Sequence, residues 1–215
     1  MHLANQEGVY FCLLGGRAIF LDVNRDRYFA SPAETAEALT RAIAEEPNIL
    51  SDKQALEPLL INGLLTTSSD PAKFLQLTTA PPAAAEWTDI PRLRSTQIFT
   101  ALAFQLRAVL QMRRRGFAEV VLERQRRSRT AGRSRAASEI ISAHYASNLI
   151  LAPHQRCLIK SIGLFDMLEL AGHYPRLILG VRDYPFVAHA WVQLEDIVVG
   201  DSLDHVALYQ PILVV

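Results

Sequence analysis

CLIKSIGLFDMLELAGHYPRLILGVRDYPFVAHAWVQLEDIVVGD, residues Cys157 to Asp201, is the stretch on which the fold turns. Cys157 opens a helical pattern that ends near Ala171-Gly172. Its apolar positions Ile159, Ile162, Leu164, Phe165, Leu168 and Leu170 nearly encircle it, which predicts a buried central helix. Strand patterns follow at Arg176–Val181, Val187–Leu194 and Ile197–Val199, with Glu195-Asp196 as the hairpin turn between the last two. Pro211–Val215 is a candidate closing strand. His189 lies on the second of these strands, and Asp201 stands at the exit of the third.

A thiol becomes a nucleophile at neutral pH when a base takes its proton, and that base needs an acceptor to orient it. Cys157, His189 and Asp201 supply the three residue types in that order. A cysteine at a helix N-terminus feels unpaired N–H groups and the dipole, both favouring thiolate. The same N–H groups can receive a developing oxyanion. A helix carrying Cys, then a strand carrying His and an Asp beyond the next strand, resembles the papain-like or transglutaminase-like order. The residues alone leave a second reading open, a packing cysteine and a satisfied core histidine. His154, His173 and His205 are competing bases, with His205 a candidate rim residue beside Asp201.

Upstream, 215 residues suit one large domain or two small ones, and half are hydrophobic, enough for a packed core. No apolar run is long enough to span a bilayer, and the N-terminus lacks a basic-then-apolar signal, so a soluble cytoplasmic protein is expected. The two cysteines, Cys12 and Cys157, form neither a disulfide framework nor a zinc pattern. Neither metal nor cofactor is expected, because no ligand cluster and no phosphate-binding glycine loop is present. Cys12, inside the apolar run VYFCLL, reads as an inert buried thiol.

The first 77 residues read as a β-β-β-α-α unit. Val9–Leu14 and Arg17–Leu21 flank the hairpin turn Gly15-Gly16, and Arg27–Ala30 is a third strand. Ser31-Pro32 with Glu34 predicts a helix start with serine as cap, running to about Glu45. A second helix spans roughly Asp52–Asn62. This unit carries no chemical constellation and reads as a binding module. Residues 78–91, with three prolines and an alanine run, read as a linker, leaving 92–215 as the second domain.

Net charge is zero but uneven: residues 92–135 carry 12 basic and 2 acidic side chains, against 10 and 20 in the rest of the chain. Helices are predicted from Arg92 to Arg115, ending at Gly116, and over Ala136–Leu151. The arginines form either a solvated face or a docking surface for an anionic partner. No aromatics interleave with them, which argues against nucleic acid.

Arg156-Cys157-Leu158 with Ser161, Leu179-Gly180-Val181-Arg182, His189-Ala190-Trp191-Val192 and Gly200-Asp201 together resemble the lasso-peptide maturation protein B family. These are leader-cleaving cysteine proteases of the transglutaminase-like superfamily. The resemblance implies an α+β protein: a small winged-helix-like leader-recognition domain, then a papain/transglutaminase-like domain whose central helix packs on an antiparallel sheet. It implies a precursor peptide whose leader adds to the strand meander, with Tyr28, Phe29, Leu56, Leu59 and Leu60 as groove residues, or simply as that domain's core. It also implies Cys157 as nucleophile with its own N–H as oxyanion donor, His189 as proton carrier and Asp201 as orienter. An asparagine-synthetase-like cyclase would be the partner downstream. Leu151 stands where papain-like enzymes place their oxyanion glutamine, and Gln155 is the nearest alternative. The competing functions are an acyltransferase using the same thioester, and a non-catalytic chaperone delivering precursor to the cyclase.

Overall fold

The computed structural model describes residues 2–44, 51–70, 75–88, 95–127, 136–150 and 157–215. In its first part, β1 (His2–Asn5), β2 (Val9–Leu14), β3 (Arg17–Asp22) and β4 (Arg27–Ala30) precede α1 (Ala33–Ile43), α2 (Ser51–Ile61) and β5 (Leu65–Ser68). The run VYFCLL is apolar throughout because β2 is covered on both faces. Val9, Phe11 and Leu13 join Ala18, Phe20 and Phe29 in a core closed by α1 and α2. The alternate positions Tyr10, Cys12 and Leu14, with Ile19, Leu21 and Tyr28, join the core of the second part. A period of two thus divides each strand between two cores.

The meander appears as expected, in the order β2-β3-β4. Two additions come from pairing distant in sequence: β1 lies antiparallel to β5, with His2 opposite Ser68. Ser31 does not cap α1. Pro32 occupies that place without a side-chain bond. Instead Ser31 Oγ accepts from the Ala18 N–H at 3.1 Å and donates to the Pro32 carbonyl at 3.0 Å, tying β3 to the helix entry. α1 and α2 are joined by Arg41 and Asp52, 2.6 Å apart.

The expected linker contributes a strand. β6 (Ala85–Glu86) pairs in parallel with Ile197 and Val198, and Thr78 Oγ1 donates to the Ile212 carbonyl at 2.8 Å. The rest of the second part comprises α3 (Ser95–Arg126), α4 (Ala137–Ile150), α5 (Cys157–Leu170), β7 (Pro175–Arg182), β8 (Val187–Leu194), β9 (Ile197–Val199), α6 (Leu203–Val206) and β10 (Gln210–Val214). The sheet order is β10-β7-β8-β9-β6. Helix α3 breaks at Gly116, whose φ of 77° places it in the left-handed region open to glycine, and the helix then resumes.

Helix α5 is the centre of this part, packed between the sheet and helices α3 and α4. Residues Ser161 to Leu168 are all buried. Leu170 departs from the expected apolar girdle: it is 74% exposed, beyond the reach of the layers that cover the middle of the helix. α3 comes close at Gly163, since a Cβ there would lie 3.3 Å from the Gln105 backbone nitrogen.

Part of the basic middle is spent inside the fold. Arg124 is wholly buried and forks onto Asp166 of α5 at 2.9 and 2.6 Å. Arg127 reaches Glu169 at 2.7 Å, and Arg115 reaches Glu119 and Glu123 at 2.7 and 2.6 Å. These arginines are ion-paired between and along helices rather than displayed as one cationic face. No helix among the described residues is long and apolar enough to cross a membrane.

Candidate active site

Among the described residues, the site forms where the edge of β8 has no strand partner. β9 is short and on its β8 side pairs only with Val192–Leu194. Two residues upstream, the backbone of Ala190 points to the same side of β8, past the end of β9. Its carbonyl accepts from Ser161 Oγ at 2.8 Å, and its N–H donates to the Cys157 sulfur. Ser161 is one helical turn after Cys157, and Ala190 follows His189 in the chain. The free edge of β8 therefore clamps the first turn of α5 beside the histidine.

Cys157, His189 and Asp201 are brought together. Cys157 and His189 share a side-chain hydrogen bond, and His189 Nε2 lies 2.5 Å from Asp201 Oδ2. With Nε2 engaged by the carboxylate, Nδ1 is the ring nitrogen that faces the thiol. Asp201 is held in turn by the Ser202 N–H at 2.8 Å and by His205 Nδ1 at 2.9 Å, both on Oδ1.

The electrostatics follow from these contacts. Burial by itself would raise the Cys157 pKa. The His189 hydrogen bond and charge, with the N–H groups of Ala190 and Leu158, outweigh it, so the thiol falls below its ordinary 9.0. Burial opposes charge on His189 too, but Asp201 and Cys157 raise its pKa to about 9. Asp201 is lowered, since its bonds to His189, His205 and Ser202 exceed the cost of burial. The lowered thiol, the raised imidazole and the lowered carboxylate each favour the charged form, an arrangement suited to nucleophilic attack and proton return.

A comparison with protein families matches residues 100–214 to the transglutaminase-like superfamily. The chain belongs to that superfamily. Comparison with curated proteins and with solved structures found no significant match. The transglutaminase-like region contains Cys157, His189 and Asp201, and runs from early α3 to the end of β10.

Around these residues the transglutaminase-like core packs closely. The Trp191 ring stacks on His189, centroids 6.1 Å apart and planes at 15°, and it is buried with Ile178, Val198, Val206 and Tyr209. It both fills the core and walls the histidine. Gly180, opposite His189 in the β7–β8 register, allows this: a Cβ there would meet the Trp191 ring at 2.7 Å. Gly200 has φ of +81°, and a Cβ there would meet Leu164 at 2.9 Å, so the chain reaches Asp201 through a position that excludes side chains.

His144 is a site residue that sequence reasoning missed. It is buried on α4 and borders, with Cys157, Lys160, His189 and Asp201, a cleft of about 190 Å³. Gln105 donates to Asn148 Oδ1 at 3.3 Å, which leaves the Asn148 amide to donate to His144 Nε2 at 3.0 Å. Burial, aided by the Lys160 charge, lowers the His144 pKa to about 4 and so keeps the imidazole neutral. The pairing of His144 with Asn148 four residues on, in an apolar helix, was the available signal.

Among the competing bases, His205 is bound to Asp201 rather than to the thiol. His173 follows the far end of α5, about 20 Å from Cys157 along the axis. His154, Gln155 and Leu151 lie outside the described residues. The proposed groove residues separate. Leu56 and Leu59 are buried in the N-terminal core, and Leu60 is partly exposed. Tyr28 faces the second part, its ring 5.4 Å from Phe186. Phe29, on the other face, lines a cleft of about 490 Å³ with Arg25, Arg27, Ile61, Asn62 and Leu64.

Proposed function

We propose that the chain is a cysteine peptidase that removes the leader from a lasso-peptide precursor. The observation that carries this reading is the hydrogen-bonded series Cys157–His189–Asp201 at the start of a buried helix, with the thiol lowered and the imidazole raised in pKa. In this reading the Cys157 thiolate attacks the scissile carbonyl, and the N–H groups at the start of α5 receive the oxyanion. The His189 imidazolium protonates the departing amine, then takes a proton from the water that opens the thioester. Asp201 keeps the ring oriented and balances its charge.

The N-terminal unit, read as a winged-helix-like leader-recognition domain, offers β4 as the outer strand of its meander. A leader added along β4 as a further strand would lie beside the cleft lined by Phe29 and Ile61, the latter 76% exposed. The lasso assignment rests on the motif words around Cys157, Gly180, His189 and Asp201, and it makes an asparagine-synthetase-like cyclase the consumer of the freed amine. The second reading is an acyltransferase, which the shared thioester chemistry of the superfamily favours.

Incubating the purified chain with a lasso precursor, with and without an added amine, tests both. Leader and core fragments that together gain one water are expected. A product that gains the amine supports the acyltransferase, and an intact precursor under all conditions, cyclase included, overturns the peptidase.

A further inference from the structure

His189, Asp201 and His205 each present one ligand atom, and those atoms all lie within 4.8 Å of one another. Asp201 divides its oxygens between the rings, Oδ2 toward His189 Nε2 at 2.5 Å and Oδ1 toward His205 Nδ1 at 2.9 Å. The two rings are 4.6 Å apart and tilted by 60°. Two imidazoles and a carboxylate form a donor set suited to zinc-class ions, which sit about 2.0–2.2 Å from such atoms. An ion seated between the two rings would meet all three, because both imidazoles already converge on the carboxylate.

The surroundings are those of a supported ligand set. The Ser202 N–H fixes Asp201 Oδ1 at 2.8 Å, and Tyr209 Oη lies 3.5 Å from the far nitrogen of His205. Outer partners of this kind hold metal-ligating side chains in place. The His205 side chain is 43% exposed, which gives an ion a route in and a place for solvent as further ligand. Cys157 is on the other edge of the His189 ring, facing Nδ1.

We propose that His189, Asp201 and His205 bind a zinc-class divalent ion, and that its binding reversibly silences the thiol chemistry without ligating the thiol. The ion displaces the proton held between His189 Nε2 and Asp201 and takes that nitrogen's lone pair. The remaining proton of the imidazole then stays on Nδ1. The ring donates to the Cys157 sulfur but no longer cycles between imidazole and imidazolium, so the leaving amine is not protonated. His205 has no such place in proton transfer; it supplies the ligand that makes the pair a chelate.

The activity arm of the test rests on the peptidase reading, whereas the binding arms do not. Full-length protein freed of metal is titrated with Zn²⁺ by calorimetry and with Co²⁺ by absorption spectroscopy. One ion per chain is expected, with cobalt d–d bands and no sulfur-to-cobalt charge-transfer band. His205→Ala and His205→Gln, checked for native circular dichroism, should each weaken Zn²⁺ binding at least about tenfold. Cys157→Ala should bind as wild type does. Zn²⁺ should stop precursor cleavage, a chelator should restore it, and iodoacetamide should still modify Cys157 in the zinc-bound protein. A sulfur-to-cobalt band, binding lost in Cys157→Ala, unchanged affinity in both folded His205 variants, or no binding at micromolar zinc would each overturn the proposal. If no precursor is cleaved even without metal, the peptidase reading fails while the spectra and variant affinities still decide this one.

Discussion

The two cysteines of this chain are chemically alike and differ only in what surrounds them. Cys12 lies in β2 between two cores, 1% exposed, and burial pushes its thiol up to about 12. Cys157 is also largely enclosed, yet its thiol is lowered. Desolvation acts on both; only Cys157 receives N–H groups from a helix start and a free strand edge, and only it has an imidazole beside it. The difference shows that burial does not decide whether a thiol is inert. What decides it is whether the enclosing groups are donors and cations or hydrocarbon.

The largest way to sharpen that contrast is to remove each sulfur in turn. Cys157→Ala should reduce precursor cleavage by at least about 10⁴-fold. Cys12→Ala should leave the turnover rate within about twofold and cost about 1 kcal/mol of stability, measured by denaturant titration, through the small cavity it opens. Equal loss of cleavage in the two variants would erase the distinction.

Asp201→Ala comes next. It removes the acceptor that raises His189, so kcat should fall by about 10³-fold or more while KM changes little. The same variant should shift the alkaline limb of the pH profile downward. In the wild type, activity needs thiolate and imidazolium together. It should rise as the lowered Cys157 thiol ionises and fall as His189 loses its proton near pH 9. A profile that keeps climbing through pH 9 would contradict the raised imidazole of His189.

Ser161→Ala is the smallest of the set. It unpairs the Ala190 carbonyl, at a cost of about 1–3 kcal/mol in stability, and releases the clamp between α5 and β8. Cleavage should fall by about tenfold to a hundredfold in kcat at nearly constant KM, with Ser161→Thr recovering part of the loss. A change confined to melting temperature would make Ser161 structural only.

How much of this was legible beforehand follows the range of the interactions involved. The encircling apolar pattern of Cys157–Leu168, the Gly15-Gly16 hairpin and the order Cys157, His189, Asp201 are local or nearly so, and the fold contains them. The β1–β5 pairing joins residues sixty or more positions apart, and two short strands carry too little pattern to announce a partner. Ser31 had the composition of a cap, but a contact with Ala18 across the fold outcompeted the local one. Leu56 and Leu59 could be read as groove or core, because an apolar helix face looks the same whether it meets a peptide or its own sheet. His144 was overlooked because its partner Asn148, one turn on, is oriented by Gln105 only when α3 packs on α4. The triad types could be read; the clamp that joins them, Ser161 on the bare edge of β8, required the length of β9 to be known.

The central claim is that the fold makes one thiol reactive and keeps the other inert. Its most direct test is the rate of iodoacetamide modification at each cysteine across pH, read by mass spectrometry of the folded protein. Cys157 should react at neutral pH with a midpoint below the ordinary thiol value of 9.0, while Cys12 stays unmodified until the protein is unfolded. Cys157 titrating at or above 9.0, or Cys12 reacting at a similar rate in the folded state, would contradict the account.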